Sequence, residues 1–298
     1  MLSKHNKSYC ILPFIHLHVN EKNDIKLCCL SGGKSIGKYS QEFDFVNNIE
    51  LQKIRQSMLA GERVPQCETC YNYEDNGADS SRIFNNRQWF NRLSINDLEE
   101  TTVKLIYYDI RNDNLCNLSC RMCNPQFSSQ LAKEYKEIGW RYPVEPMSFG
   151  FNDVVDLSTV QQIYVAGGEP SLMPEFRKFL KRAIDAGRTD IGILMNTNAT
   201  NLNKEYRILL SKFSNLNIVC SIDGYDFVNK YIRWPADWST IIENVHGLTE
   251  ITSGVSFNIT VSIWNISNLS KLIFFLEKEF PNCSILLNDV MWPPHQKF

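Results

Sequence analysis

The sequence predicts an α/β fold in which six short apolar strands alternate with helices, preceded by a smaller cysteine-rich region. From about residue 104 onward, apolar runs of strand length are followed by segments with helical periodicity. Repeated strand-then-helix order favours parallel strands joined by right-handed crossovers. The first hundred residues lack this alternation and hold five of the ten cysteines. These observations divide the chain into residues 1–100 and 101–298.

The composition is that of an ordinary globular protein. Hydrophobic residues make up 43% and charged residues 21% of the 298-residue chain, and the net charge is −2. No run of like charge forms the electrostatic footprint of a nucleic-acid partner, which is therefore not expected. No segment has the pattern of a signal peptide or the apolar length of a membrane span. We therefore expect a cytoplasmic, oxygen-sensitive protein whose cysteines bind metal rather than form disulfides.

The N-terminal region begins with a pattern typical of a β-hairpin, with strands at residues 15–19 and 25–28 around a polar turn. Helices are predicted at residues 51–59 and 81–93. Five cysteines accompany these elements: Cys10, Cys28, Cys29, Cys67 and Cys70. Four thiolates from separated turns suffice for an iron–sulfur cluster or for zinc. Because adjacent strand residues face opposite ways, only one of the two hairpin-end cysteines is expected to reach the metal.

The region after residue 100 carries the alternating elements. Strands are predicted at residues 104–110, 162–166, 191–196, 217–222, 256–263 and 284–291. Helices are predicted at residues 128–138, 174–186, 204–213, 239–249 and 269–280. Six strands are too few for a closed eight-stranded barrel, but in any parallel barrel the site forms at the C-terminal ends of the strands. Functional side chains are therefore expected directly after each strand.

Cys116, Cys120 and Cys123 form a C-x3-C-x2-C array shortly after the first of these strands. Three thiolates so close together can ligate three irons of a cubane cluster and leave the fourth iron open to another ligand. Ferredoxin-type clusters and structural zinc sites both take four protein ligands. Three cysteines without a local fourth therefore indicate chemistry at the metal. The alternatives are a zinc knuckle completed from elsewhere, or buried cysteines without a metal.

Glycines and polar residues that could contact a ligand also follow the later strands. They are Gly167, Gly168 and Glu169 after the second strand, Asn196 and Asn198 at the third, Ser221 and Asp223 at the fourth, and Arg233 beyond it. Glycine lets backbone approach a ligand, a carboxylate accepts charged hydrogen bonds, and a guanidinium fork suits a carboxylate. Structural alternatives are a tight turn for the glycines, a cap for Asn196, a hydrogen-bonded turn for Asp223 and a surface position for Arg233.

The cysteine array, the segment Ala166-Gly-Gly-Glu-Pro170 and the strand end Ser221-Ile-Asp223 resemble the motifs of radical S-adenosylmethionine (AdoMet) enzymes. The resemblance implies a partial (β/α)6 TIM-like barrel and a [4Fe–4S] cluster on the three cysteines, with the amino acid end of AdoMet on the open iron. The residues that it assigns to AdoMet are Gly167, Gly168, Glu169, Asn196, Ser221 and Arg233. Among them, it places Glu169 at the ammonium group, Ser221 at the ribose and Arg233 at the carboxylate. Asp223 is the candidate catalytic residue, available to bind substrate or shuttle a proton.

The first hundred residues are similar to the twitch domain, a shortened relative of the SPASM domain that carries an auxiliary cluster in many radical AdoMet enzymes. Such domains usually follow the barrel, whereas here the cysteine-rich region precedes it. The resemblance implies a second, auxiliary [4Fe–4S] cluster on Cys10, Cys28, Cys67 and Cys70, with Cys29 as the alternative to Cys28. Zinc at these four cysteines remains the other possibility.

The chemistry implied by the resemblance is reductive cleavage of AdoMet to a 5′-deoxyadenosyl radical, which abstracts hydrogen from a substrate. Domains of this kind often accompany peptide or protein modification, so a peptide or protein substrate is expected. A nucleotide, sugar or other small metabolite is the alternative substrate. An external one-electron reductant of flavodoxin or ferredoxin type is the expected partner. The alternative of a different class is a non-catalytic iron–sulfur or zinc protein that serves as a scaffold or electron carrier.

Overall fold

The computed structural model describes residues 6–92, 102–111, 113–144, 150–290 and 293–297. The chain divides into two compact units, residues 1–110 with 153–161 and residues 111–152 with 162–298. The predicted boundary between residues 100 and 101 lies outside the described residues. So do residue 93 of one predicted helix and residue 291 of the last predicted strand. No helix within the described ranges is both long and apolar enough to cross a membrane.

The first unit contains a sheet with the strand order β4–β1–β2–β3. Strands β1 (His16–Val19) and β2 (Asp24–Lys26) pair antiparallel as the predicted hairpin, and β2 pairs with β3 (Gly37–Lys38). On its other side, β1 pairs in parallel with β4 (Tyr107–Ile110), which the sequence predicts as the first strand of the α/β region. The prediction for the second hairpin strand was too long, because β2 ends at Lys26, before Cys28.

Four helices complete the first unit: α1 (Leu12–Ile15), α2 (Ile49–Leu59), α3 (Glu68–Asp75) and α4 (Ser81–Arg92). Arg55 of α2 is buried and donates hydrogen bonds to the carbonyl oxygens of Pro13, Phe45 and Val46 at 2.8, 2.7 and 3.0 Å. One guanidinium therefore ties α2 to α1 and to the preceding loop. Helices α1 and α3 were not predicted, and α3 begins within the C-x2-C pair.

The second unit is built on five parallel strands in the order β6–β7–β8–β10–β11. Their ranges are Gln162–Val165 (β6), Gly192–Thr197 (β7), Leu216–Ser221 (β8), Gly254–Val261 (β10) and Ser284–Asp289 (β11). Two short strands, β5 (Ser119–Cys120) and β9 (Arg233–Trp234), form a separate antiparallel ribbon. The predicted α/β class with parallel strands is confirmed.

Helices alternate with these strands. Their ranges are Ser129–Glu137 (α5), Phe151–Val154 (α6), Pro174–Asp185 (α7), Lys204–Leu210 (α8), Phe227–Ile232 (α9), Trp238–Thr249 (α10) and Leu269–Glu279 (α11). In α7, Phe176, Phe179 and Ala183 recur with the helical period and are fully buried. In β8, Ile218 and Cys220 are fully buried, whereas Ser221 is half-buried. This alternation directs Ser221 away from the side of the strand that Ile218 and Cys220 occupy.

Candidate active site

The three cysteines of the C-x3-C-x2-C array line one cavity of about 440 Å³ in the second unit. Cys120 ends β5, and the Cys123 amide donates to the Cys120 carbonyl oxygen at 3.0 Å, so a tight turn joins these two residues. The Cys116 amide donates to the Ser129 hydroxyl at 3.1 Å, which attaches the first cysteine to the start of α5. A local turn and a helix end therefore bring the three thiols around one cavity. The sequence shows only their spacing along the chain.

The β5–β9 ribbon brings a positive charge to this site. Its register places Arg233 opposite Cys120, and the Arg233 Nε lies 2.5 Å from Asp223 Oδ2. Burial alone lowers the pKa of Arg233, but the Asp223 carboxylate and the Cys120 thiol raise it, and the net direction is upward. Sequence reasoning missed the ribbon, because two-residue strands leave no periodic signal. The β5–β9 pairing thus holds the charged Arg233 guanidinium beside the cysteine loop.

The thiols suit an iron–sulfur group. Burial raises the pKa of Cys116, Cys120 and Cys123, to about 11 for Cys123, and the nearby Arg233 charge opposes the rise at each of them. A lone thiolate is costly in such surroundings, whereas bound iron supplies compensating positive charge and displaces the thiol proton. The three buried cysteines are therefore most stable as thiolates when they bind a metal.

The glycines after β6 bring the backbone up against the cysteine loop. A Cβ on Gly168 would lie 2.4 Å from the Leu115 carbonyl oxygen, and Gly167 has φ +119°. The Gly168 amide donates to the Asp113 carbonyl oxygen at 3.1 Å, and the Glu169 amide donates to that of Leu115 at 2.7 Å. The sequence predicts close approach to a ligand here. The structure adds that the glycines are needed for contact with the segment leading into Cys116, and both also line the cavity.

Glu169 is buried at the cavity wall and its carboxylate accepts several hydrogen bonds. Its donors are the Thr197 hydroxyl at 2.7 Å, the Asn198 amide at 2.7 Å and the Ser171 hydroxyl at 2.8 Å. Burial raises the pKa of Glu169, and these hydrogen bonds oppose the rise. The carboxylate therefore ties the end of β6 to the end of β7 and fixes one wall of the cavity.

The other predicted AdoMet contacts, Asn196 and Ser221, also line the cavity. Asn198 lines it as well, and its Nδ2 lies 3.9 Å from the Cys116 Sγ. Sequence reasoning gave no role to Thr260 of β10, which lines the cavity because its strand neighbours β8. Arg111 lines the cavity too.

Asp223, the predicted catalytic residue, lies beside the cavity rather than in its lining. It is fully buried, its Oδ2 faces Arg233 and its Oδ1 accepts a hydrogen bond from the Thr260 amide at 2.7 Å. Both carboxylate oxygens are therefore engaged by the protein. Asp109 of β4 belongs to the first unit, where its carboxylate lies 2.9 Å from the His18 Nδ1.

A second group of cysteines surrounds a small cavity, of about 20 Å³, within the first unit. The four thiols are those of Cys10, Cys28, Cys67 and Cys70. Burial is the main cause that raises the pKa of Cys10, Cys28 and Cys67, to about 12 for Cys67, and neighbouring thiols raise it further. Arg82 also lines this cavity, donates to the Tyr9 carbonyl oxygen at 2.6 Å and opposes the rise at Cys10 and Cys67. The sequence-predicted auxiliary set is thus gathered in one place.

Cys28 and Cys29 differ in position, although not for the predicted reason. Cys28 lines the small cavity, whereas Cys29 is exposed. Strand alternation does not separate them, because β2 ends at Lys26 and the Ser31 amide closes a turn on the Cys28 carbonyl oxygen at 3.1 Å. The turn, not a strand, directs Cys28 inward.

Within the described ranges, no three Cys, His, Asp or Glu side chains converge as ligands of a single metal ion. The thiolates of a cubane cluster bind different irons, so they need not converge on one point. Four cysteine ligands of one zinc ion must all lie about 2.3 Å from it.

We expect Cys28→Ala to lower the iron bound by the first unit and Cys29→Ala to leave it unchanged. The reason is that only Cys28 lines the cavity shared with the other three thiols. Cys29→Ala removes an exposed thiol and costs about 1 kcal/mol of stability or less. Iron per chain and thermal unfolding of both anaerobically purified variants provide the measurement. Iron loss in Cys29→Ala alone would transfer the ligand role to Cys29.

Residues 114–276, more than half of the chain, match the family model of the Radical SAM superfamily. The chain belongs to the radical SAM superfamily. The matched range contains the three-cysteine array, the Gly-Gly-Glu-Pro segment and the ends of β7 and β8. Membership in this family implies a [4Fe–4S] cluster and AdoMet. The sequence-based prediction of a radical SAM enzyme is confirmed at the level of the family.

Several solved structures resemble this chain at low sequence identity. Native anSMEcpe with bound AdoMet is 16% identical, covers 61% of this chain and 52% of its own, with a TM-score of 0.47. SuiB of Streptococcus suis bound to the precursor peptide SuiA is 12% identical, covers 96% and 64%, with a TM-score of 0.45. The chain thus spans about half the length of the anSMEcpe chain. No curated protein matches the sequence.

Proposed function

We propose that this protein reductively cleaves AdoMet and abstracts hydrogen from a C–H bond of a peptide or protein substrate. One observation carries the proposal. Cys116, Cys120 and Cys123 line the same cavity as the Gly167–Glu169 segment and the ends of β7 and β8. A purely structural or electron-carrying cluster has no use for such a cavity beside a site with one open iron. When bound, the reduced cluster and AdoMet supply the 5′-deoxyadenosyl radical that removes the hydrogen.

The chain's own residues bind and orient in this proposal. Gly167, Gly168 and Glu169 form the wall that receives the amino acid end of AdoMet, and Glu169 stays in place through its hydrogen bonds to β7. Asn196 and Ser221 line the cavity at the ends of neighbouring strands and would contact the bound AdoMet from there. Fixed walls of this kind supply orientation and exclude water, while the cofactor supplies the difficult chemistry.

Arg233 and Asp223 act as a pair. Arg233 lines the cavity and is held at 2.5 Å by Asp223, so its charge is available to the AdoMet carboxylate in one fixed direction. Asp223 then serves as a positioning residue for Arg233, which is the role best supported by its burial and by its hydrogen bond from Thr260. Its direct part in proton transfer, predicted from the sequence, is the less favoured role.

The cavity at Cys116, of about 440 Å³, has room for an organic cofactor and part of a substrate. Cys10, Cys28, Cys67 and Cys70 line a separate, small cavity within the first unit. We propose that these four cysteines hold an auxiliary [4Fe–4S] cluster. The surrounding region corresponds in this proposal to an N-terminal twitch domain, preceding a partial (β/α)6 barrel.

A peptide or protein substrate is favoured by the resemblance of the cysteine-rich region to the twitch and SPASM domains. A small metabolite is the second candidate, favoured by polar residues in the cavity lining such as Arg111, Asn198 and Thr260. A flavodoxin- or ferredoxin-type protein is the proposed one-electron donor, in a reducing cytoplasmic setting that preserves both clusters.

The proposal is tested by anaerobic reconstitution of the chain with iron and sulfide. We expect dithionite and AdoMet to yield 5′-deoxyadenosine and methionine, quantified by liquid chromatography, because dithionite supplies the electron that reductive cleavage requires. Omitting dithionite is the control and should leave AdoMet intact. Reconstituted protein that holds a cluster at Cys116, Cys120 and Cys123 yet leaves AdoMet intact with dithionite would refute the proposal.

A further inference from the structure

Arg121 lies between two cysteines of the proposed catalytic cluster but outside the cavity. It and Met122 are the central residues of the turn in which the Cys123 amide donates to the Cys120 carbonyl oxygen. Met122 lines the cavity, whereas Arg121 is exposed to solvent. The turn therefore presents one side chain to the cluster and the other to the opposite side.

The exposed Arg121 is held by the segment that carries Arg233. Its backbone amide donates to the Ile232 carbonyl oxygen at 2.9 Å, and its Nε donates to the Tyr231 carbonyl oxygen at 2.9 Å. Its guanidinium lies 3.8 Å from the centre of the Tyr231 ring and 5.6 Å from that of Trp264. The two rings meet edge to face at 5.6 Å. Fixing a long exposed side chain costs conformational entropy, which these combined contacts offset.

The C-terminal turn holds the same residue from another side. Gln296 is buried, and its Nε2 donates to the Arg121 carbonyl oxygen at 2.9 Å across 175 residues of sequence. The main-chain carbonyl oxygen of Gln296 accepts a hydrogen bond from the main-chain amide of Ile263 at 2.9 Å. The turn between Cys120 and Cys123 is thus anchored to a segment beyond β10 as well as to the last turn of α9.

We infer that Arg121 and Gln296 are positioning residues that fix the Cys120–Cys123 turn in the geometry required by the cluster. The inference rests on the proposed function, because it needs a cluster at the three-cysteine site. A cubane has rigid edges, so two thiolates that bind different irons must be held at one separation and orientation. A turn closed by a single hydrogen bond leaves that separation loose, whereas anchors on its outer side remove the freedom. Residues behind the ligands of other metal sites act in this way.

The test uses the full chain with Cys67→Ala and Cys70→Ala as the parent, so that only the catalytic cluster contributes to iron content and spectra. In this parent, Arg121→Ala should lower kcat/KM for AdoMet by about 10- to 100-fold. It should also lose iron on gel filtration and alter the EPR change that AdoMet causes in the reduced cluster. Arg121→Lys retains the charge over Tyr231 but not the Nε hydrogen bond, and should recover part of the loss. Gln296→Ala should act in the same direction with a smaller effect.

Arg188→Ala is the matched control, because Arg188 pairs with Asp190 in the turn before β7 and should leave iron and EPR unchanged. Iron content, EPR and kcat/KM of Arg121→Ala equal to those of the parent would overturn the inference. So would loss of cooperative thermal unfolding in the metal-free Arg121→Ala protein, since Arg121 would then support folding as a whole. A parent that folds yet holds no iron would instead refute the proposed catalytic cluster itself.

Discussion

Replacing Cys116, Cys120 and Cys123 together with alanine is expected to abolish formation of 5′-deoxyadenosine from AdoMet. The three thiols line one cavity, and no other cysteine in the described part of the chain lines it. Alanine cannot ligate iron, so the variant has no means of holding the cluster that delivers the electron. The measurement is 5′-deoxyadenosine after anaerobic reconstitution with dithionite, compared with the unmodified chain.

Cys283→Ala is the matched control for this triple variant. Cys283 is half-buried after α11 and lines neither described cysteine cavity, so its loss should leave AdoMet cleavage intact. The triple variant must also be shown to fold, by circular dichroism and by retention of the iron of the first unit. Normal turnover in a folded triple variant would contradict the assignment of the catalytic cluster.

Removing Cys67 and Cys70 is expected to lower the iron content by roughly half, from about eight to about four irons per chain. Both thiols border the small cavity of the first unit, and two of its four ligands are then lost. AdoMet cleavage should remain detectable, because the catalytic cavity lies wholly within the second unit. Iron and sulfide analysis of the reconstituted variant, with 5′-deoxyadenosine as the second readout, provides the measurement.

Zinc analysis of the unmodified chain separates the two alternatives for this site. One tightly held zinc ion per chain, lost with Cys67 and Cys70, would replace the auxiliary cluster by a structural zinc site. In that case total iron would stay at about four per chain in both proteins. The catalytic assignment would be unaffected, since it depends on other cysteines.

The elements of the second unit were largely predictable. In α7 and β8 the burial pattern follows the hydrophobic periodicity. The core-facing positions recur once per turn in the helix and at every second residue in the strand, and apolar side chains occupy them. The predicted helix at residues 174–186 is observed as Pro174–Asp185. The short helix α9 and the β5–β9 ribbon were missed, and so was α3 of the first unit. Two- to eight-residue elements hold few periodic positions, and tertiary contacts stabilise them.

The candidate site was predictable in its residues but not in its connections. The motifs name Cys116, Gly168 and Arg233 separately. The structure adds that Gly168 approaches the backbone of Leu115, and that Arg233 faces Cys120 across an antiparallel ribbon. Such contacts join residues far apart in the chain. A single sequence carries no record of which distant segments meet.

The sequence by itself determined the α/β class and the thiols available to iron, because periodicity and local spacing are properties of neighbouring residues. Its motifs also carried the resemblance to the family. Only the tertiary structure decided which side chains share a cavity. It engaged Asp223 with Arg233, and it turned Cys28 towards Cys10 through a turn that strand alternation does not describe. The physical reason is that burial and charge pairing act through space. The role of a titratable side chain is therefore set by the segments that pack around it.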